Sequence, residues 1–263
     1  MTLQGPFPAG SAGLCSVTLR SRSLADVVET ASNAGLTGIE WGTDVHVTGP
    51  DEARTAARLC AEKGLRVMSL GSYCRLGDFE DVTRLLASAK AAGTQRIRVW
   101  AGREGSDRAT PALWDRVVED AQRIARLAAE DGLEIALEYH GNTPTDTAAS
   151  TVDLLTRIDR PNVRTYWQPA VGLDDAAALE SFLEVSPFVS GIHCFSWSAT
   201  GDRYPLRGRE RLWAAVVGAT AARGESLDFM LEFVVDDSRE QVVDDAGTLL
   251  SLLAARAPSS SAS

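Results

Sequence analysis

The sequence predicts an α/β fold, a single (β/α)8 barrel, on three observations. Eight short apolar runs alternate with longer helix-like stretches over 263 residues, the runs begin 25 to 39 residues apart, and no nucleotide-binding loop interrupts them. A chain of this length can bury one large core, so residues 1–256 are read as one domain and the Ser-rich end, 257–263, as a disordered tail. A doubly wound open sheet is the runner-up, but eight near-regular units favour closure.

The first run is GLCSVTL (13–19), followed by SLADVVETASNAG (23–35), whose apolar residues recur at helical spacing. GIEWG (38–42), RVMSLGSY (66–73) and QRIRVWAG (95–102) are the next three strands, and PALWDRVVEDAQRIARLAAEDG (111–132) is a long amphipathic helix. EIALEYHG (134–141), VRTYWQP (163–169), VSGIHCFSW (189–197) and DFMLEFVV (228–235) complete the set. Ser23, Asp78 and Thr110 stand where side-chain oxygens would cap helix N-termini, and Gly35, Gly64, Gly93 and Gly132 where a left-handed residue would end a helix.

Composition removes several classes of function. The formal net charge is −10, against the basic face that nucleic-acid binding needs. No apolar run is long enough to span a membrane, and the N-terminus lacks a basic region before an apolar stretch, so a cytoplasmic location is expected. Cys15, Cys60, Cys74 and Cys194 lie apart with no C-x-x-C spacing and are read as reduced, mostly buried thiols. Lys63 and Lys90 are the only lysines and both fall in helical segments or at their ends, which speaks against Schiff-base chemistry. No Walker A loop, G-x-G-x-x-G or G-x-S-x-G occurs.

In a barrel the active site lies at the C-terminal ends of the strands. His46, His140 and His193 all fall in or just beyond strand runs. Strand alternation sends Ile135, Leu137 and Tyr139 outward and Ala136, Glu138 and His140 inward. By the same rule Tyr166 and Gln168, His193 and Phe195, and Met230 and Glu232 face inward, whereas Phe229, Leu231 and Phe233 face the helices. Glu138, Gln168, His193 and Glu232 thus ring the mouth from four consecutive strands. Two enclosed carboxylates need a compensating charge. A divalent cation supplies it, with the imidazole nitrogen and amide oxygen completing an N/O set that suits Mn²⁺, Co²⁺, Mg²⁺ or Zn²⁺. The alternative is a structural ion pair of Glu138 or Glu232 with an inward arginine, Arg98 or Arg164. Around this ring Glu40, Arg98 and Trp100 face inward, with His46, Tyr73, Tyr166 and Trp197 close by, a mixture of aromatic and polar groups that suits a polyol. Trp41, Trp114, Trp167 and Trp213 have the phase of helix–strand packing.

From GIEWG in the second strand to MLEF in the eighth, the chain resembles the sugar phosphate isomerase/epimerase family of xylose isomerase-like TIM barrels. The resemblance implies a divalent-metal site, Mn²⁺ first among the choices, with Glu138, His193 and Glu232 as ligands. Gln168 stands where the family has Asp, Val171 where many members have a further His, and His193-Cys194-Phe195-Ser196 where the pattern often reads His-x-Lys-Asp. His140 has no counterpart in that metal motif and is an extra acid/base, a substrate contact or a fifth ligand. The superfamily's multinuclear zinc endonucleases need more histidines and a DNA-binding surface.

The activity the resemblance implies is isomerisation or epimerisation of a ketose, with Glu138 and Glu232 passing a proton next to a carbonyl held by the metal. A lyase or dehydratase acting on a keto-sugar or 3-keto-glycoside is the alternative, with His140 protonating the leaving oxygen. A non-catalytic sugar-binding barrel is the alternative of another class. The expected partner is a small sugar; neither nucleic acid nor membrane is expected. Barrels of this family often form dimers or tetramers, so a homo-oligomer is a further expectation.

Overall fold

In a computed structural model, residues 10–224 and 226–255 are described; the tail read at 257–263 lies outside them. Eight parallel strands close into a barrel: β1 (Gly10–Cys15), β2 (Gly38–Gly42), β3 (Arg66–Arg75), β4 (Arg96–Trp100), β5 (Glu134–Leu137), β6 (Val163–Trp167), β7 (Val189–Cys194) and β8 (Leu227–Leu231). They pair in chain order, and β8 pairs with β1 to shut the ring. Eight helices form the outer layer: α1 (Leu24–Asn33), α2 (Pro50–Glu62), α3 (Thr83–Ala92), α4 (Pro111–Ala129), α5 (Ala148–Ile158), α6 (Asp175–Val185), α7 (Glu210–Ala222) and α8 (Arg239–Ala254). A two-stranded antiparallel ribbon, Ser196–Trp197 against Arg203–Tyr204, follows β7. No helix among the described residues is long and apolar enough to cross a membrane.

Local chemistry sets the helix ends. Ser23 and Asp26 form a reciprocal capping box on α1, and the Thr110 hydroxyl accepts from the Leu113 N–H at the start of α4. Gly35, Gly64, Gly93 and Gly132 all have positive φ. Asp78 is different: α3 begins five residues later, at Thr83, and Asp78 pairs with Arg103 at 2.7 Å instead. The first run also divides, with β1 ending at Cys15 and Ser16–Leu19 turning as a 3-10 helix.

Two apolar clusters result. The larger fills the space between strands and helices, where Trp41, Trp167 and Trp213 are fully buried and Trp114 packs at its edge. The smaller lies inside the barrel and comprises Cys15, Val17, Met68, Ala136, Tyr166 and Met230. All four cysteines are free and buried. At the N-terminal end of the strands Asp228 pairs with both Arg66 and Arg96, and Arg96 also meets Glu134 at 3.0 Å.

Candidate functional site

Registry brings the polar inward residues to one level. Glu40 on β2 stands beside Cys15 on β1 and Ser69 on β3, and His193 on β7 beside Met230 on β8. Arg98 on β4 lies opposite Gly71, where a Cβ would come within 2.7 Å of the guanidinium and 2.9 Å of the Glu40 carboxylate. A side chain at position 71 would therefore displace the ion pair.

Glu40 is the hub. Its carboxylate accepts from Ser69 Oγ at 2.6 Å, Tyr166 Oη at 2.8 Å and Arg98 Nε at 3.3 Å, and lies 3.1 Å from His193 Nε2. Burial opposes its charge, but His193 and Arg98 outweigh burial and hold the carboxyl well below its usual range. Arg98 reaches from Glu40 to Glu138 and forms an ion pair with each. Glu138 thus has one of the two arginines named as its alternative partner; Arg164 donates to the Val189 carbonyl instead.

At the mouth, His193 Nδ1 lies 3.0 Å from Gln168 Oε1 and 3.3 Å from Glu232 Oε2. Both ring nitrogens of His193 therefore face oxygen acceptors. An imidazolium, a cation between Nδ1 and those oxygens, and a Gln168 amide turned to donate to Nδ1 would each satisfy this arrangement. Burial disfavours the charged ring, while the Glu232 and Glu40 carboxylates oppose burial and raise its affinity for a proton. The structure brings Gln168, His193 and Glu232 into direct contact and joins Glu138 to them through Arg98 and Glu40.

Charge provides a test of fit for a divalent metal. Glu40, Glu138 and Glu232 are each no more than 4% exposed, and Arg98 is 3% exposed. Three buried carboxylates against one guanidinium leave an excess of two negative charges. A protonated His193 removes one; a divalent ion beside a neutral imidazole removes both. The donor set of carboxylate, amide oxygen and imidazole suits such an ion. A deeper trio, Cys15, Glu40 and His193, also has its donor atoms within 4.8 Å of one another. Burial pushes the Cys15 thiol up to about 12, so it is protonated at neutral pH, and Arg98 already neutralises Glu40. That trio is a hydrogen-bonded support beneath His193.

The loop after β5 fixes His140. Thr145 Oγ1 donates to the Glu138 carbonyl at 2.5 Å, and Thr143 Oγ1 to the His140 carbonyl at 2.6 Å. The ring lies 4.4 Å from that of Trp100, and its Nδ1 is 2.8 Å from the Gly141 carbonyl. A carbonyl only accepts, so Nδ1 carries the hydrogen and Nε2 the lone pair. Burial lowers the proton affinity of this histidine below the ordinary value, and Arg98 and Arg75 add to the effect against the pull of Gly141 and Glu232.

Aromatic rings line opposite sides of the mouth. Trp100 stacks on Tyr73 at 5.7 Å between ring centres, and Arg75 lies 4.2 Å above it. Facing them, Phe195, Trp197 and Phe233 pack in sequence with Arg203 against the last two. The indole N–H groups of Trp100 and Trp197 are buried without a hydrogen-bond partner among the described residues. Phe233 departs from the alternation that would send it toward the helices. Its φ of 49° turns the chain after Glu232, its N–H donates to Thr18 Oγ1, and its ring packs with the inner cluster. His46 stands apart. Its Nδ1 meets Ser16 Oγ at 3.0 Å and its Nε2 the Arg22 carbonyl at 3.1 Å, so both nitrogens are taken by protein atoms and neither is free for a ligand.

Strand alternation did not single out Cys15, Ser69 or Arg75. Tyr73 and Arg75 share a face at i and i+2, so extending the third strand by two residues would have exposed Arg75.

Comparison with known proteins places the chain. The model of the xylose isomerase-like TIM barrel family matches residues 28–203, and the protein belongs to that family. A 3-dehydroshikimate dehydratase from Bacillus anthracis is 29% identical over 199 residues, which span 68% of this chain and 69% of that one. Among solved structures, a probable 3-DHS dehydratase from Bacillus anthracis, described as involved in petrobactin synthesis, superposes with a TM-score of 0.77 at 20% identity, over 92% of this chain and 98% of its own. An L-ribulose 3-epimerase superposes with a TM-score of 0.73 at 14% identity, over 94% and 95%.

Proposed function

We propose that the protein is a divalent-metal-dependent lyase that removes water from a cyclic keto-substrate of the 3-dehydroshikimate kind. One observation carries the choice between elimination and epimerisation. His140 is a base with its lone pair fixed on Nε2, whereas Glu138, the carboxylate expected to share proton transfer with Glu232, is engaged by Arg98. The sequence similarity to a 3-dehydroshikimate dehydratase supports the same choice.

Glu138, Gln168, His193 and Glu232 would hold the ion, with Mn²⁺ first and Co²⁺, Mg²⁺ and Zn²⁺ as the other candidates. When bound, it supplies positive charge beside the substrate's carbonyl oxygen and makes the neighbouring C–H more acidic. His140 Nε2 takes that proton. The electron pair left behind forms the new double bond as the β-hydroxyl departs, and the imidazolium returns its proton to the leaving oxygen, so one water is released and the enzyme is unchanged. Glu40, with Ser69 and Tyr166 around it, keeps the His193 ring in place from below. Trp100 packs on one face of His140 and limits its rotation.

The direct test is incubation with 3-dehydroshikimate and Mn²⁺, followed by mass spectrometry. Loss of one water is expected, and His140→Gln lowers kcat by about a hundredfold or more. Unaltered 3-dehydroshikimate, together with solvent deuterium entering a ketose at the carbon next to its carbonyl, would replace this reading with epimerisation. The second reading retains support from the two carboxylates, Glu138 and Glu232, that reach the mouth from separate strands.

A further inference from the structure

The Arg75 guanidinium at the rim of the mouth makes no ion pair among the described residues, although the carboxylates of Asp78 and Glu80 lie near enough to attract it. Arg75 ends β3, and among the described residues its side chain makes one hydrogen bond, to the Gly102 carbonyl at 2.9 Å, and no ion pair. Most other arginines near the barrel's ends are matched. Arg98 meets Glu40 and Glu138, Arg96 meets Glu134 and Asp228, and Arg103 meets Asp78. The Arg75 guanidinium lies over the Trp100 ring, 4.2 Å from its centre, and Trp100 itself touches His140. The guanidinium is thus one aromatic ring away from the base, with N–H groups left over. Guanidinium in that state is suited to a planar carboxylate, which it can grip with two parallel hydrogen bonds. A neutral polyol would leave it without a counter-charge.

We propose that Arg75 is the carboxylate-binding residue of the site and that the substrate is a ring-shaped carboxylic acid, not a neutral sugar. The proposal rests on the lyase reading for the position of the substrate beside His140, and it adds the residue that holds the carboxylate such a substrate carries. Tyr73 and Trp100 offer one flat wall for the ring, and Phe195, Trp197 and Phe233 the other.

Calorimetric titration of the Mn²⁺-loaded protein with 3,4-dihydroxybenzoate and with 3,4-dihydroxybenzamide tests it without turnover. Both present the same two vicinal oxygens, so a difference between them reports the carboxylate. The acid is expected to bind at least tenfold more tightly than the amide. Arg75→Met should erase that preference and leave amide binding unchanged, and Arg75→Lys should restore part of it, each at an unaltered melting temperature. Equal binding of acid and amide by the unaltered protein, a preference that survives Arg75→Met, or no binding of either compound at millimolar concentration overturns the assignment. If 3-dehydroshikimate is not dehydrated but the Arg75-dependent preference is present, the lyase reading fails and the carboxylate site stands.

Discussion

The two ends of the barrel contain similar residues arranged to opposite effect. At the N-terminal end two arginines, Arg66 and Arg96, meet two carboxylates, Asp228 and Glu134, and each of these four charges has a partner. At the C-terminal end three carboxylates, Glu40, Glu138 and Glu232, are buried with one guanidinium, Arg98, which pairs with the first two, and the rim cation Arg75 makes no ion pair among the described residues. A balanced network of ion pairs closes the base of the barrel and needs nothing further. The mouth is short of two positive charges at its centre, and the guanidinium at its rim is free of any ion pair among the described residues. On the proposed reading a divalent ion would fill the charge gap at the centre and an anionic substrate would engage Arg75 at the rim, giving the two ends of one strand set different roles.

Substitutions at the two ends should separate those roles. The largest effect is expected from Arg98→Met, which leaves Glu40 and Glu138 buried without a counter-charge and should cost about 3–5 kcal/mol of stability, read from urea denaturation of the metal-free protein. At the opposite end Asp228→Asn breaks two pairs whose arginines remain partly exposed, so a loss of about 1 kcal/mol is expected, with turnover retained. A similar cost at both ends would remove the distinction. Gln168→Asp sharpens it by smaller steps. A fourth carboxylate deepens the deficit, so the metal-free melting temperature should fall while Mn²⁺ binds about tenfold more tightly, because affinity follows the charge of the ligand set. Unchanged affinity would show that residue 168 is not a ligand.

Much of this could be read from the chain alone because period-two alternation is strict inside a barrel. It sends Glu40, Arg98, Tyr166 and His193 to the interior, and the structure has them within one hydrogen-bonded network. The same rule, carried past the strand ends, brings Glu138, Gln168 and Glu232 to the mouth. It fails where the backbone leaves the strand. Phe233 is turned by a left-handed residue conformation, and His46 sits in a segment that folds back on Ser16 and Arg22, a contact between distant residues that no local period records. The partners of a charge are equally invisible to alternation. Glu138 faces inward as expected, but that its inward neighbour Arg98 would reach both it and Glu40 depends on the gap left by Gly71. Asp78 has the chemistry of a helix cap and stands four residues ahead of the cap position, Val82.

The central claim is that the missing positive charge at the mouth is supplied by one divalent ion held by Glu138, Gln168, His193 and Glu232. Equilibrium dialysis of the metal-stripped protein against Mn²⁺ measures it directly. The account predicts one ion bound per chain, lost in Glu232→Gln and retained in Asp228→Asn. No bound Mn²⁺ at millimolar supply, or binding that Glu232→Gln leaves intact, would contradict it.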